Sequence, residues 1–292
     1  MAHRAGYAAI VGRPNVGKST LLNALVGAKV AIVTPKPQTT RNRILGIRTL
    51  PEAQVVFLDT PGIHEARSLL NRRMVDLARQ ALGEADVVVL VVDATVGVTP
   101  GDRELARGLA GPGRPVLVVL SKRDRVRPPK LLPLMETIAT LLPGREIIPV
   151  SARSGENVPL VLAAVAKLLP EGPRLYPDDE YTTGTERFLA QELVREQLFL
   201  QTEEEIPYGT AVQVEEFTEK PGLVVVRAAV LVDRAGHRGI VIGAGGTRLR
   251  EIGRRARLEL EALLGVKVFL ELFVRVEPGW AKDERRLREL GL

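Results

Sequence analysis

The sequence predicts a three-layer α/β domain followed by a smaller α+β domain. Three observations carry this. From residue 7 to about 169, Val/Leu/Ile runs such as VVVLVV and VLVVL alternate with amphipathic stretches, as in a parallel sheet covered by helices on both faces. Pro170-Glu171-Gly172-Pro173 then breaks the rhythm, and an acidic, irregular stretch runs to Gly184. Beyond it the order becomes α-β-β-α-α-β, which does not continue βαβ units. The expected divisions are a first domain over 1–171, a linker over 172–184 and a second domain over 185–292.

In the first domain, strands are expected at 7–11, 44–49, 54–58, 86–92, 115–120 and 146–150. Helices are expected near 68–83, 102–108, 130–142 and 157–169. The second domain reads as helix 186–201, strands 209–217 and 223–232, a Gly-rich turn, helix 247–264 and strand 266–276. Aromatic residues make up 4% of the 292, so both cores must be aliphatic. The absence of cysteine removes disulfides, thiolate chemistry and Cys-based zinc sites, and fits a reducing cytosol. Met1-Ala2-His3-Arg4 runs straight into the first strand and leaves no room for a signal peptide. The longest purely apolar run, 87–92, is far short of a membrane span. A soluble, cytoplasmic protein is expected, with peripheral contact on the cytoplasmic face of the membrane left open.

Ligands of such sheets sit beyond the carboxyl ends of the strands. The first apolar run, Tyr7 to Val11, leads into Gly12-Arg13-Pro14-Asn15-Val16-Gly17-Lys18-Ser19, and Thr20 opens a helix-periodic segment. This is a phosphate cradle: Gly12 and Gly17 let successive N–H groups face one anion. Lys18 reaches the outer phosphates and the Ser19 hydroxyl completes a Mg²⁺ shell. After the strand 54–58 comes Asp59-Thr60-Pro61-Gly62. Its carboxylate is placed to hold Mg²⁺, and Gly62 lets its N–H approach the terminal phosphate. Two further strands end in Ser121-Lys122-Arg123-Asp124 and Ser151-Ala152-Arg153.

In this order, the four motifs resemble those of the translation-factor-like GTPases of the Ras superfamily. The resemblance implies a GTP/GDP site in which Asp124 accepts from the guanine N1–H and 2-amino group, Lys122 lies along the base and the Ala152 N–H meets O6. Adenine lacks both donors, and a site built on such bonds discriminates by roughly 10⁴-fold. Position 121 is usually Asn, which ties base and phosphate loop together. Ser121 offers fewer bonds, so nucleotide affinity is expected to be weaker with guanine selectivity kept.

Thr34-Pro35-Lys36-Pro37-Gln38-Thr39-Thr40-Arg41 reads as a loop. With GRPNVGKS and DTPG, the string PQTTR resembles the Era-type GTPases of the TrmE–Era group. That match implies a first switch with Thr40 as the Mg²⁺ ligand, Thr39 second, and a second switch running from Gly62 towards Asn71. Ile63 stands where Ras-type enzymes carry a water-orienting Gln and cannot do that work. His64 beside it carries no catalytic expectation in this group. Asn15 matches the position at which TrmE-like members hold K⁺, so K⁺ is expected to supply part of the charge an arginine finger gives. Lys18, Thr40, Gly62 and Asn15 are the catalytic candidates, and a slow intrinsic rate is expected.

The formal charge is 41 − 35 = +6, and it is uneven. Arg234, Arg238, Arg248, Arg250, Arg254, Arg255 and Arg257 stand against Glu251, which favours a polyanionic partner. Before them, Ile240-Val241-Ile242-Gly243-Ala244-Gly245-Gly246 resembles the GxxG signature of the KH RNA-binding module (type II), whose loop clamps a single-stranded backbone. REIGRRAR and the late Trp280 extend the Era-type resemblance over residues 7 to 285. The usual basic residue within GxxG is missing, which shifts phosphate contact towards Arg248 and Arg250.

The family implies a P-loop GTPase joined to a KH domain, monomeric, that binds the 3′ end of 16S ribosomal RNA and assists 30S subunit assembly and maturation. Readings from two other classes compete with this one. One is a metabolic or signalling GTPase whose basic helix serves a membrane or protein. The other is an RNA scaffold with a decayed nucleotide site, against which Lys18, Ser19, Asp59 and Asp124 speak.

Overall fold

The hairpin at the start of the first sheet explains the one departure from an all-parallel arrangement. The structure, a computed structural model, describes residues 2–62, 68–111 and 113–292. Its first unit contains β1 (Arg4–Val11), α1 (Lys18–Val26), β2 (Ile44–Thr49), β3 (Ala53–Asp59), α2 (Leu69–Glu84) from Arg73 onwards, β4 (Val87–Asp93), α3 (Pro100–Leu109), β5 (Val116–Ser121), α4 (Leu131–Leu141), β6 (Ile147–Pro149) and α5 (Val158–Leu168). The strand order is β2-β3-β1-β4-β5-β6. β2 runs antiparallel to β3, whereas the other neighbours are parallel. Residues 50–52 are too few to form a crossover, so β2 must turn back on β3.

Both faces of the sheet are buried, and β3 shows how. Val55 and Phe57 pack with Leu21, Leu25 and Val165 on one side, while Val56 and Leu58 pack with Leu90 on the other. A continuous apolar run is what a strand needs when neither face meets water. Parallel register then brings the carboxyl ends together, with Ile10 beside Asp59 and Asp93 beside Ser121.

The stretch 172–183 is irregular, as expected, yet it is docked on the first unit rather than loose. Gln54 is wholly buried and grips it: its carbonyl accepts from Leu175 and Tyr176 N–H at 2.7 and 2.9 Å, and its amide donates to the Tyr176 carbonyl at 2.8 Å. Ile47 N–H donates to the Tyr181 carbonyl at 2.9 Å, and the Thr182 hydroxyl donates to Leu45 O at 2.7 Å. The compact unit accordingly turns over at Thr183/Gly184.

The second unit contains α6 (Glu186–Gln201), β7 (Thr210–Lys220), β8 (Leu223–Val232), α7 (Ala235–Ile242), α8 (Thr247–Leu264), β9 (Lys267–Val276) and α9 (Glu284–Glu289). β8 is central, antiparallel to β7 and parallel to β9. One face of this sheet packs Val212, Val226 and Val230 against Val194, Leu198, Ile252 and Leu260 of α6 and α8. Trp280 is buried and donates its indole N–H to Gly209 O at 3.2 Å.

Ile32–Thr39 clusters with this second unit although it lies between α1 and β2 in sequence. Ile32 sits in the second core, Val33 N–H donates to Glu196 Oε1 at 2.8 Å, and the Lys36 ammonium donates to the carbonyls of Phe199 (2.6 Å) and Thr202. Those carbonyls lie at the C-terminus of α6, where a cation meets the negative end of the helix dipole.

Candidate nucleotide and RNA sites

The phosphate loop is shaped by backbone that other residues cannot adopt or fit. Gly12 has φ +155°, and a Cβ there would stand 2.5 Å from the Val91 carbonyl oxygen. Gly17 takes φ +98°, and Asn15 adopts a left-handed φ of +62°, which asparagine tolerates better than most. The loop curls over Lys18, whose ammonium donates to Gly12 O at 3.1 Å and Arg13 O at 3.0 Å. Burial pushes that ammonium down to about 8, with Asp59 pulling it back up and Arg13 adding to the fall. Nearby anionic oxygens would relieve the cost of that burial.

Next to it three oxygen-bearing side chains converge. The Ser19 hydroxyl donates to Asp59 Oδ2 at 2.6 Å and lies 2.9 Å from the Thr40 hydroxyl, which itself donates to Oδ2 at 3.3 Å. Asp59 is fully buried, and burial raises its carboxyl above the ordinary range against the pull of Lys18, Ser19 and Thr40. Its Oδ1 is buried without a hydrogen-bond partner among the described residues. One carboxylate and two hydroxyls suit a hard cation that keeps phosphate and water oxygens as its other ligands. The donor set therefore fits Mg²⁺. Thr39 faces elsewhere: its hydroxyl donates to Lys36 O at 2.7 Å and lies 2.6 Å from the Thr34 hydroxyl. Gly62 belongs to the same wall, since a Cβ there would press on Pro14 N and Cα at 2.7 and 2.8 Å. Ile63, His64 and Glu65, which begin the expected second switch, lie outside the described residues.

The residues of the two remaining motifs stand at and just beyond the ends of β5 and β6. Ser121 is buried and donates to Val16 O at 2.6 Å, so the tie to the phosphate loop expected of an asparagine is made by serine itself. Lys122, at φ +58°, donates to Asn15 O at 2.8 Å and to Asp93 Oδ2 at 2.5 Å. Asp93 is buried, which works the other way, but hydrogen bonds from Lys122 and Thr95 hold its carboxyl below the usual range. Asp124 follows on a single helical turn with its carboxylate 32% exposed, accessible to a ligand. Arg123 N–H donates to Val150 O at 3.0 Å, which ties this turn to the Ser151–Ala152–Arg153 loop. In that loop Ser151 is wholly buried and accepts from Ser154 N–H at 3.2 Å, whereas Arg153 is exposed.

In the second unit the Gly-rich turn joins α7 to α8. Gly243 takes φ +74°, with room for no Cβ because Arg248 Cβ would be 2.8 Å away. Gly245 and Gly246 are also left-handed, at +57° and +77°, and Gly246 leaves the start of α8 without a side-chain cap. An uncapped helix start of this kind presents N–H groups to an anion. Arg248 donates to Ile240 O, and Arg250 donates to Gly245 O at 2.6 Å, so both guanidiniums are held against the turn. Arg254 and Arg255 are instead paired with Glu251 at 2.8 and 2.6 Å.

The chain is 48% identical over 290 residues to GTPase Era of Syntrophus aciditrophicus, covering 99% of this chain and 95% of that one. It is equally 48% identical over 290 residues to GTPase Era of Geobacter metallireducens. The chain belongs to the Era family of GTPases. Family models agree, one for a 50S ribosome-binding GTPase matching residues 7–122 and one for a KH domain matching 205–281. A solved structure of an Aquifex aeolicus Era variant bound to GDP and AlF4⁻ superposes with a TM-score of 0.95 at 44% identity, covering 99% of both chains. Another, of Era with MgGDPNP and nucleotides 1506–1542 of 16S ribosomal RNA, gives 0.95 at 45% identity, again over 99% of both.

Within this family setting, the predicted nucleotide residues stand at the carboxyl ends of β1, β3, β5 and β6, with Thr40 joined to them through Ser19 and Asp59. Gly243 to Gly246, Arg248 and Arg250 gather at the turn, while Arg254 and Arg255 lie one turn further along α8. Sequence reasoning passed over Asp93, Asp102 and Thr60. Asp93 is the last residue of VVVLVVD, and a carboxylate at a strand's carboxyl end was signal enough. Thr60, whose hydroxyl donates to Ile10 O at 3.0 Å, was hidden inside the DTPG string. Among the described residues no helix is long and apolar enough to cross a membrane.

Proposed function

We propose that the first unit binds and hydrolyses GTP with Mg²⁺, and that the second binds single-stranded RNA at the 3′ end of 16S ribosomal RNA, assisting 30S assembly in the cytoplasm. The observation that carries this reading is the convergence of Ser19, Thr40 and the orphaned Asp59 oxygen beside the buried Lys18. Ser19, Thr40 and Asp59 would hold Mg²⁺, which, when bound, neutralises charge on the β- and γ-phosphates. Residues 12–20 wrap the phosphates, and Lys18 gives its ammonium to the outer ones, where negative charge grows as the bond breaks. Gly62, pressed against Pro14, offers its N–H to the γ-phosphate. Asp124 and the Ala152 N–H select guanine, with Lys122 beneath the base and Ser151 and Arg153 framing the loop. Asn15 is the side chain we assign to K⁺, whose charge would assist the same step.

For RNA, the uncapped start of α8 and the glycines of the turn admit a phosphate backbone, and Arg248 and Arg250 flank it. The relative crystallised with 16S nucleotides 1506–1542 supports the choice of RNA. The test is made on the full chain. Ser19→Ala should abolish Mg²⁺-dependent GTP hydrolysis, and Gly243→Asp should abolish retention of a 1506–1542 RNA fragment on a filter. ATP hydrolysis as fast as GTP hydrolysis, or undiminished RNA retention by the Gly243 variant, would overturn the reading.

A further inference from the structure

Flanking the connection between β4 and α3 are two carboxylates that none of the nucleotide motifs contains, and both reach the phosphate loop, Asp102 directly and Asp93 through Lys122. At its far end Asp102 is 1% exposed. Its Oδ1 accepts from Arg13 Nε at 2.9 Å, while its Oδ2 accepts from Thr99 N–H at 2.9 Å and the Thr99 hydroxyl at 2.7 Å. The Thr99 N–H bond and the return bond from Asp102 N–H to the Thr99 hydroxyl at 3.4 Å form the N-terminal capping box of α3, so Arg13 is fastened to a helix start rather than to a loose loop. Gly101 leaves space for this: a Cβ there would stand 2.9 Å from Arg13 Cδ. At the near end Asp93 holds Thr95 through Oδ1 and Lys122 through Oδ2, and Lys122 in turn donates to Asn15 O.

Residues 13–15 are therefore gripped from both ends. The Arg13 carbonyl is also one of the two acceptors that fix the Lys18 ammonium. A carboxylate that steadies Arg13 steadies the atom on which Lys18 rests. We infer that Asp102 and Asp93 are positioning residues of the GTPase site: the Asp102–Arg13 pair sets the arch that aims Lys18, and the Asp93–Lys122 pair sets the lysine beneath the base. Neither carboxylate touches the nucleotide in this scheme. The inference rests on the nucleotide-site reading above.

The two pairs act on different steps, which makes them separable. Lys18 acts where charge develops, so a loosened arch lowers kcat more than it raises KM. Lys122 lies at the base, so a loosened Lys122 weakens guanine nucleotides in ground and transition states alike.

Asp102→Asn keeps an oxygen for the Thr99 cap but turns an N–H₂ towards Arg13, and Arg13→Gln removes the pair from the other side. Misplacement of this kind should lower kcat for GTP by about tenfold in either variant, with KM within about twofold of wild type. Because both break one contact, the double variant should be no slower than the slower single. Asp93→Asn should weaken GDP binding by about tenfold and narrow the preference for GTP over ATP, which the Asp102 variant leaves intact. A double variant as slow as the product of the two singles overturns the Asp102 half, as does wild-type kcat in either single. Wild-type GDP affinity in Asp93→Asn overturns the other half. Failure of the unmodified protein to hydrolyse GTP would instead sink the proposed function.

Discussion

Ser121 has one proton to give, and the structure gives it to Val16 O at 2.6 Å, with Val92 O a longer alternative at 3.2 Å. An asparagine amide carries two N–H groups and a carbonyl, so it could keep the loop and still meet the base. The cost of serine therefore falls on the base contact alone. Ser121→Asn should tighten GDP binding by about fivefold, the value of roughly one net hydrogen bond. Isothermal titration checks it, and equal or weaker binding would refute it. The choice between Thr39 and Thr40 belongs to this scale too. The family resemblance ranked Thr40 before Thr39, but the two stood in one string and nothing in their own chemistry parted them. The fold does, by turning Thr39 back onto Lys36 and Thr34 and leaving Thr40 beside Ser19 and Asp59.

Among the elements, α8 shows how a charged helix can restrain its own ligand groups. Glu251 receives three N–H donors from Arg254 and Arg255, and those hydrogen bonds push its carboxyl down to about 2. Both arginines are thus partly neutralised on the very face that the sequence marked as polyanion-binding. Glu251→Gln should raise affinity for the 1506–1542 RNA and steepen the dependence of log K on log salt by about 1, as released arginines take up phosphates. Filter binding from low to high salt reads both effects, and an unchanged slope would show that these arginines never reach the RNA. The elements themselves were readable because β3, β4 and β5 are continuous apolar runs and α8 is strongly periodic. α9 escaped because six residues are too few to show a helical period. β2 was found as a strand, but nothing in its composition revealed its antiparallel direction, which follows from the brevity of residues 50–52.

For the whole molecule, the sequence boundary at 185 describes the second unit incompletely. Residues 34–41 read as a loop with no period of their own, and no local pattern could reveal that Ile32 just before them fills a core whose other residues begin at Ala190. Burying a side chain of that size is worth about 1.5–3 kcal/mol. A fragment of residues 185–292 should consequently melt below its transition in the full chain, and adding a peptide of residues 28–41 should raise its Tm. Calorimetry of the fragment with and without the peptide tests this, and an unmoved Tm would show the segment to be dispensable.

The stretch 172–183 has a consequence of a different kind. β2 is the outer strand of the first sheet, and its unpaired edge would offer a template for another chain. The Tyr181 carbonyl and the Thr182 hydroxyl occupy part of that edge at Ile47 and Leu45, from a segment with no extended ladder to pass on. What the sequence offered as a spacer is thereby also a guard against self-association. The sheet is denied a second copy at the margin where growth into an aggregate would begin.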